Sequence, residues 1–188
     1  RGEVNQSMTT VLVTGCGGAI GLSVVKALRM GSDKLRLVGV DSDSYAAFFY
    51  FNRKTCLLDR VHVVPGAEHP DYIHIISQIC LKEKVGVIFP CTDAELEKLS
   101  ISKDKVAEIG TQIIISPYET IKIFRDKWLT YENLVKHLPM VKSALPSMGI
   151  EKALQSTGLP AIIKPRLGWG SRQTYKVKSV EEAQNIAG

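Results

Sequence analysis

The sequence predicts an α/β protein: a Rossmann-like, doubly wound parallel sheet in the first part of the chain and a partial α+β subdomain in the second. In the first part, short apolar runs alternate with helical spacing of apolar residues, and a glycine-rich turn follows the first run. Charge separates the parts, because residues 1–115 carry 13 Lys+Arg and 13 Asp+Glu whereas residues 116–188 carry 11 and 6. The whole net charge of +5 therefore lies in residues 116–188.

Composition and periodicity also set the domain boundaries. Residues 1–7 show no periodicity, and we interpret them as an expression remnant with Met8 as the native start. Residues 8–115 are predicted to form the Rossmann-like domain, and residues 116–188 to begin a second, basic domain. No apolar run approaches the ~20 residues of a membrane span, and no signal segment opens the chain. We therefore expect a cytoplasmic protein without a membrane partner.

The first strand is predicted at 11–13, and a helix follows up to Met30. The turn between them contains Gly15, Gly17, Gly18 and Gly21. A second strand, 35–40, ends at Asp41 about 20 residues after the turn, as in dinucleotide-binding units. The glycine spacing fits extended short-chain dehydrogenases, although Ile20 replaces the third glycine of the Rossmann fingerprint. The same glycines also suit a tight turn with close helix–strand packing, so Gly15, Gly17, Gly18 and Asp41 remain candidates for a ligand loop.

Further strands and helices complete the first domain. Strands are predicted at 60–64, 85–89 and 112–115, and helices at 72–80 and 93–108. Asp93 follows the carboxyl end of a strand, where open α/β sheets bind ligands, and is a candidate for a substrate or interdomain role. The alternative is a first-turn carboxylate that complements the helix dipole. Glu95, three residues after Thr92, is predicted to complete a capping box.

In the second part, one helix is predicted from Ser116 to Leu134, and it carries Asp126-Lys127. After an irregular connector and a short helix, 151–155, an apolar strand ends at Lys164. A loop with two glycines and two more cations follows, then a returning strand and a final helix that starts in a capping box at Ser179. A loop of this composition suits a nucleotide polyphosphate, because glycines let backbone N–H groups approach an anion. A β-hairpin with a basic turn is the alternative interpretation.

Together these motifs resemble the ATP-grasp ligase superfamily, most closely its carbamoyl-phosphate synthase large-chain-like members. The likeness runs from Met8 to Gly188. The motifs that carry it are the glycine-turn domain, Ile88-Phe89-Pro90-Cys91-Thr92-Asp93-Ala94-Glu95-Leu96, Ser116-Pro117, Phe124-Arg125-Asp126-Lys127, and Leu159-Pro160-Ala161-Ile162-Ile163-Lys164-Pro165-Arg166-x-Gly168-x-Gly170-Ser171-Arg172. Each motif alone is common, whereas their order and spacing are specific to this superfamily.

The resemblance implies roles for individual residues. Lys127 matches the family lysine near the nucleotide phosphates, and Lys164 matches the lysine near the α-phosphate and adenine. The loop that covers the β- and γ-phosphates corresponds to Gly168, Gly170 and Ser171, and Arg166 is a further candidate ATP ligand. The family places its magnesium-binding residues beyond this segment, so no metal ligand is expected here. We expect the native protein to extend past residue 188 and this segment alone to be inactive.

The implied function is that of an ATP-dependent carboxylate–amine or carbamoyl-phosphate-forming ligase acting through an acyl-phosphate, with ATP and Mg²⁺ as cofactors of the complete protein. Its partners would be a carboxylate or bicarbonate, an amine and a second copy of the chain. Nucleic acid is not expected, because the cations are not clustered with aromatic residues. A P-loop NTPase is disfavoured, because no Gly-x-x-x-x-Gly-Lys occurs.

Two alternatives remain open. One is an NAD(P)-dependent extended short-chain dehydrogenase, whose Tyr-x-x-x-Lys pair could be Tyr50 with Lys54 or Tyr118 with Lys122. The other is a non-catalytic nucleotide-sensing module that keeps the fold without the reaction. The four cysteines do not separate these classes. They lack zinc or disulfide spacing and are expected to be reduced, mostly buried thiols: Cys16, Cys56, Cys80 and Cys91.

Overall fold

The structure, a computed structural model, describes residues 8–32, 34–49, 57–168 and 170–187. The chain divides into two compact units, Arg1–Tyr118 and Glu119–Gly188. Several sequence-based predictions fall outside the described residues: the remnant 1–7, the pair Tyr50 and Lys54, and the thiol of Cys56. No helix among the described residues is both long enough and apolar enough to span a bilayer.

The first unit is built on a five-stranded sheet in which every pairing is parallel. Its strands are β1 (Thr10–Thr14), β2 (Arg36–Asp41), β3 (Arg60–Val63), β4 (Val87–Phe89) and β5 (Gln112–Ile113). The spatial order is β3-β2-β1-β4-β5, so strand order reverses between β1 and β4. This is the doubly wound topology that the sequence predicts, and its carboxyl edge beside β1 and β4 is where such sheets bind ligands.

Helices cover both faces of this sheet. They are α1 (Ala19–Gly31), α2 (Tyr72–Glu83), α3 (Leu96–Ile101) and α4 (Lys103–Ala107). Successive β1 residues point to opposite faces. Leu12 joins the core that contains Ile76 of α2, whereas Val11 and Val13 join the core that contains Val25 of α1. This double burial explains why β1 is apolar at nearly every position.

The predicted helix 93–108 is wrong as a single element. The structure contains α3 and α4 in its place, separated at Ser102, whose φ of −89° and ψ of 5° leave the helical region. The start is also later than predicted, because α3 begins at Leu96. The predicted strand 112–115 is shorter as well, since β5 ends at Ile113.

The described part of the second unit contains a two-stranded antiparallel hairpin, a short 3-10 helix (Pro146–Met148) and four α-helices, the first of which begins one residue before the unit boundary. The helices are α5 (Tyr118–Arg125), α6 (Lys127–Leu134), α7 (Ile150–Thr157) and α8 (Val180–Ala187), and the strands are β6 (Ala161–Ile163) and β7 (Tyr175–Val177). Leu154 of α7, Val177 of β7 and Ala183 of α8 form its buried core. The predicted strand–loop–strand arrangement around Lys164 is confirmed.

The single helix predicted from Ser116 to Leu134 is wrong, because Asp126 divides it into α5 and α6. Asp126 has an extended backbone, with φ −98° and ψ 115°. Its carboxylate accepts the backbone N–H groups of Trp128 and Leu129, which lack partners within the helix. Asp126 is therefore the N-cap of α6, a position for which aspartate is among the preferred residues.

Candidate functional site

A pocket lies at the carboxyl ends of the strands in the first unit. Its volume is about 290 Å³ and its walls are formed by Gly15, Gly17, Gly18, Asp41, Asp43, Ala46 and Thr92. The structure thus brings four of the five predicted loop residues to one place. The fifth, Asp93, is exposed, and it is not among the described residues that line this pocket.

Two glycines of the turn are required by geometry. Gly15 has a φ of +51°, and a Cβ atom there would lie 2.3 Å from Cγ2 of Thr92. A Cβ atom on Gly21 would lie 2.2 Å from the carbonyl oxygen of Gly15. Real Cβ atoms do not approach other heavy atoms this closely. The turn and the close approach of α1 to β1 therefore explain these two glycines without a ligand.

Asp41 is engaged by the same turn. Its carboxylate accepts the Gly17 N–H at 2.7 Å and the Asp43 N–H at 2.9 Å. Asp41 therefore holds the glycine turn against the end of β2.

Sequence reasoning missed the centre of this region, Glu95. The predicted capping contact exists, since the Thr92 N–H donates to Glu95 Oε1 at 2.9 Å. However, Glu95 is 1% exposed, and the same oxygen also accepts the Thr14 hydroxyl at 2.6 Å and the Cys91 N–H at 3.1 Å. The Tyr72 hydroxyl donates to Glu95 Oε2. Glu95 therefore joins the ends of β1 and β4 to the start of α2.

The pKa values of one tyrosine and two cysteines in this region are raised, by burial in all three cases and also by Glu95 in two of them. Burial, and secondly the adjacent Glu95 carboxylate, raise the pKa of Tyr72 far above its ordinary value. Burial and the same carboxylate raise the pKa of the Cys91 thiol to about 11. Burial also raises the pKa of Cys80 to about 11, despite a hydrogen bond with Thr111 that lowers it. These three side chains stay protonated near neutral pH, and the thiols are poor nucleophiles.

In the second unit, the structure brings the start of α6 to the loop that follows β6. Asp126 and Arg166 form an ion pair in which two guanidinium nitrogens donate to the carboxylate. Arg166 Nε lies 3.0 Å and Nη2 2.5 Å from Asp126 Oδ2. The hydrogen bond and charge of Arg166 lower the pKa of the Asp126 carboxyl. The Lys127 ammonium donates to the carbonyl oxygens of Arg166 at 3.2 Å and Gly168 at 3.0 Å. Lys127 therefore reaches the loop predicted to bind phosphate.

Lys164 lies just beyond the end of β6 and is exposed. No group among the described residues bonds its ammonium. The loop beyond it has an unusual backbone, with φ of +134° at Gly168, +66° at Gly170 and +56° at Ser171. The backbone of Ser171 is in the left-handed region, which residues other than glycine and asparagine rarely adopt.

The described residues contain no group of three or more His, Cys, Asp or Glu side chains placed to hold a metal ion.

This chain is similar to one protein family and to several solved structures. The family model of the PylC-like, N-terminal domain matches residues 11–114. The biotin carboxylase domain of Hydrogenobacter thermophilus 2-oxoglutarate carboxylase, a dimer in complex with MgADP, ADP and bicarbonate, is 18% identical with a TM-score of 0.67, over 96% of this chain and 40% of that one. Rhizobium etli pyruvate carboxylase is 16% identical with a TM-score of 0.61, over 92% and 16% of the two chains. No curated protein sequence gives a significant match.

These matches confirm the predicted fold class and the resemblance to ATP-grasp ligases. The closer likeness to carbamoyl-phosphate synthase stays a prediction, as do the roles assigned to individual residues. The chain spans no more than 40% of the length of either carboxylase chain.

Proposed function

This chain belongs to the PylC-like, N-terminal domain family, and from that premise we propose that it serves as the N-terminal part of an ATP-dependent ligase. The proposed reaction activates a carboxylate or bicarbonate with ATP and transfers the acyl group to an amine. The fold neighbour from Hydrogenobacter thermophilus was solved with MgADP and bicarbonate, which are the ligands of such a reaction. The complete protein is proposed to work as a homodimer, as that domain does.

One observation carries the proposal: the Lys127 ammonium lies 3.0 Å from the Gly168 carbonyl oxygen, although the two residues are 41 positions apart. The fold thereby places a cation from α6 on the glycine loop that follows Lys164. A polyphosphate is recognised by such a combination of ammonium groups and closely approaching backbone. The proposed nucleotide ligands are Lys127, Lys164, Gly168, Gly170 and Ser171. The remaining candidate, Arg166, has its guanidinium paired with Asp126.

The chemistry follows from the charges. A carboxylate oxygen attacks the γ-phosphorus of ATP, the bond to the β-phosphate oxygen breaks, and ADP leaves with the bonding electrons. The resulting acyl phosphate is attacked by the amine at its carbonyl carbon, and phosphate leaves. Lys127 and Lys164 would stabilise the negative charge that shifts along the phosphates in the first step. In the first unit, the glycine turn, Asp41 and Asp93 are proposed to contact the substrate.

Calorimetric titration with ATP and magnesium tests the proposal on the complete protein, of which this chain is the proposed N-terminal part. Each charge-assisted contact contributes roughly 1.5–3 kcal/mol, so Lys127→Met and Lys164→Met should each weaken ATP binding about ten- to a hundredfold. Lys152→Met is the matched control, because Lys152 is an exposed lysine on α7 outside the proposed site. An affinity that is unchanged in both site variants, or lowered equally in the control, would remove the nucleotide site.

A further inference from the structure

We propose that Asp126 and Arg166 are a positioning pair, which docks the loop after β6 on the start of α6 and thereby places Lys127, rather than Arg166, against the nucleotide. The pair joins residues 40 positions apart in the sequence. The proposal takes its ligand from the proposed function, whereas its geometry is independent of any ligand.

The carboxylate of Asp126 is fully occupied. Asp126 is 8% exposed, and its Oδ1 accepts hydrogen bonds from the N–H groups of Trp128 at 2.8 Å and Leu129 at 3.2 Å. Arg166 Nε lies 3.1 Å from Oδ1 and 3.0 Å from Oδ2, and Nη2 lies 2.5 Å from Oδ2. The planar guanidinium matches the carboxylate with two donors, a geometry that a lysine cannot reproduce. Releasing Arg166 to a phosphate would leave Oδ2 without a donor.

Lys127 contacts the same segment through both its backbone and its side chain. Its N–H donates to the Arg166 carbonyl oxygen at 3.1 Å, and its ammonium donates to the same oxygen at 3.2 Å and to Gly168 O at 3.0 Å. Carbonyl oxygens are weaker partners for an ammonium than phosphate oxygens. Lys127 can therefore exchange these contacts for a phosphate while Arg166 stays bound to Asp126.

The alternative role of Arg166 is direct binding of phosphate, and it predicts the opposite sign for one substitution. If Arg166 binds phosphate directly, Asp126→Asn frees the guanidinium, removes a nearby negative charge and strengthens binding of an anion. If Asp126 positions the loop, the same change weakens binding, because the docked segment loses its anchor. Asparagine is itself a good N-cap, so α6 keeps its start.

The experiment is a titration of the complete protein with ATP and magnesium, paired with amide hydrogen exchange at Lys127 without nucleotide. Asp126→Asn and Arg166→Lys should each weaken binding by about tenfold, because loss of orientation is costly even where charge is kept. The double variant should bind no worse than either single variant. Glu132→Gln is the control, because Glu132 is an exposed carboxylate on α6 whose charge also acts on Arg166. It should change affinity by less than about twofold.

Each result decides something. Stronger or unchanged binding in Asp126→Asn overturns the positioning pair, as does retention of wild-type affinity in Arg166→Lys. If the complete wild-type protein binds no ATP, the proposed function fails, and the exchange rate of the Lys127 amide then tests the positioning pair alone. Faster exchange in Asp126→Asn, but not in Glu132→Gln, supports docking, and equal exchange in both overturns it.

Discussion

Replacing Glu95 by alanine should destabilise the first unit more than any surface substitution. Glu95 is 1% exposed and accepts hydrogen bonds from the Thr14 and Tyr72 hydroxyls and the Cys91 and Thr92 N–H groups. Alanine would leave the Tyr72 hydroxyl and the Thr92 N–H without this acceptor, whereas the Thr14 hydroxyl keeps Phe89 O at 3.3 Å and the Cys91 N–H keeps Thr14 Oγ1 at 3.0 Å. The side chain also ties β1 to β4 and α2, so its loss affects the centre of the sheet.

The expected magnitude follows from the donors that lose their partner. An unsatisfied buried polar group costs about 1–3 kcal/mol, so two such donors and the volume left by the side chain are expected to cost about 3–5 kcal/mol in total. Partial solvation of Thr92, which is half-buried, keeps the sum in this lower range. Tyr72→Phe removes a single donor and should cost about 1–2 kcal/mol.

Amide hydrogen exchange of the β1 backbone is the suitable assay, because the chain forms two compact units and global unfolding need not report on one of them. A loss of 3–5 kcal/mol accelerates exchange through unfolding by about two to three and a half orders of magnitude. Asp104→Asn is the matched control, since Asp104 is an exposed carboxylate on α4, and its change should stay within about 0.5 kcal/mol.

The reasoning about Glu95 would be refuted by a Glu95→Ala variant whose β1 amides exchange within about fivefold of the Asp104→Asn control, a difference of about 1 kcal/mol. It would also be refuted if Tyr72→Phe were as damaging as Glu95→Ala, because the carboxylate would then contribute nothing beyond one hydroxyl contact.

Three further outcomes are expected. Gly21→Ala should destabilise the first unit by about 1–3 kcal/mol in urea unfolding, because its Cβ would meet backbone atoms of the turn, whereas Gly31→Ala, with open space around it, should not. Cys91, whose pKa is raised to about 11, should resist alkylation at pH 8 in the native chain and react in denaturant; rapid native labelling at the peptide level would contradict this. Limited proteolysis should cut first at 137–147 or 167–172, and early cuts within 85–89 would contradict the predicted domain boundary near residue 115.

The fold of the first unit was predictable because its signals are local. Apolar runs mark the buried strands, and Gly15 and Gly21 mark the turn that no larger residue fits. The division of α3 from α4 at Ser102 was not predictable, since serine is tolerated inside helices and the spacing of apolar residues continues across it. The N-cap at Asp126 was missed because the spacing of apolar residues also continues across it. Aspartate is nevertheless a preferred N-cap residue, so its presence at 126 was a usable signal.

Sequence by itself determined the α/β class, the alternation of strands and helices in the first unit, and the hairpin around Lys164. It also determined the family resemblance, because each of these depends on residue spacing within a short window. Only the tertiary structure decided what the polar side chains contact. Glu95 accepts a hydrogen bond from the hydroxyl of Thr14, 81 positions away, and Asp126 pairs with Arg166, 40 positions away. Such partners are brought together by packing of whole elements, so spacing along the chain carries no signal for them.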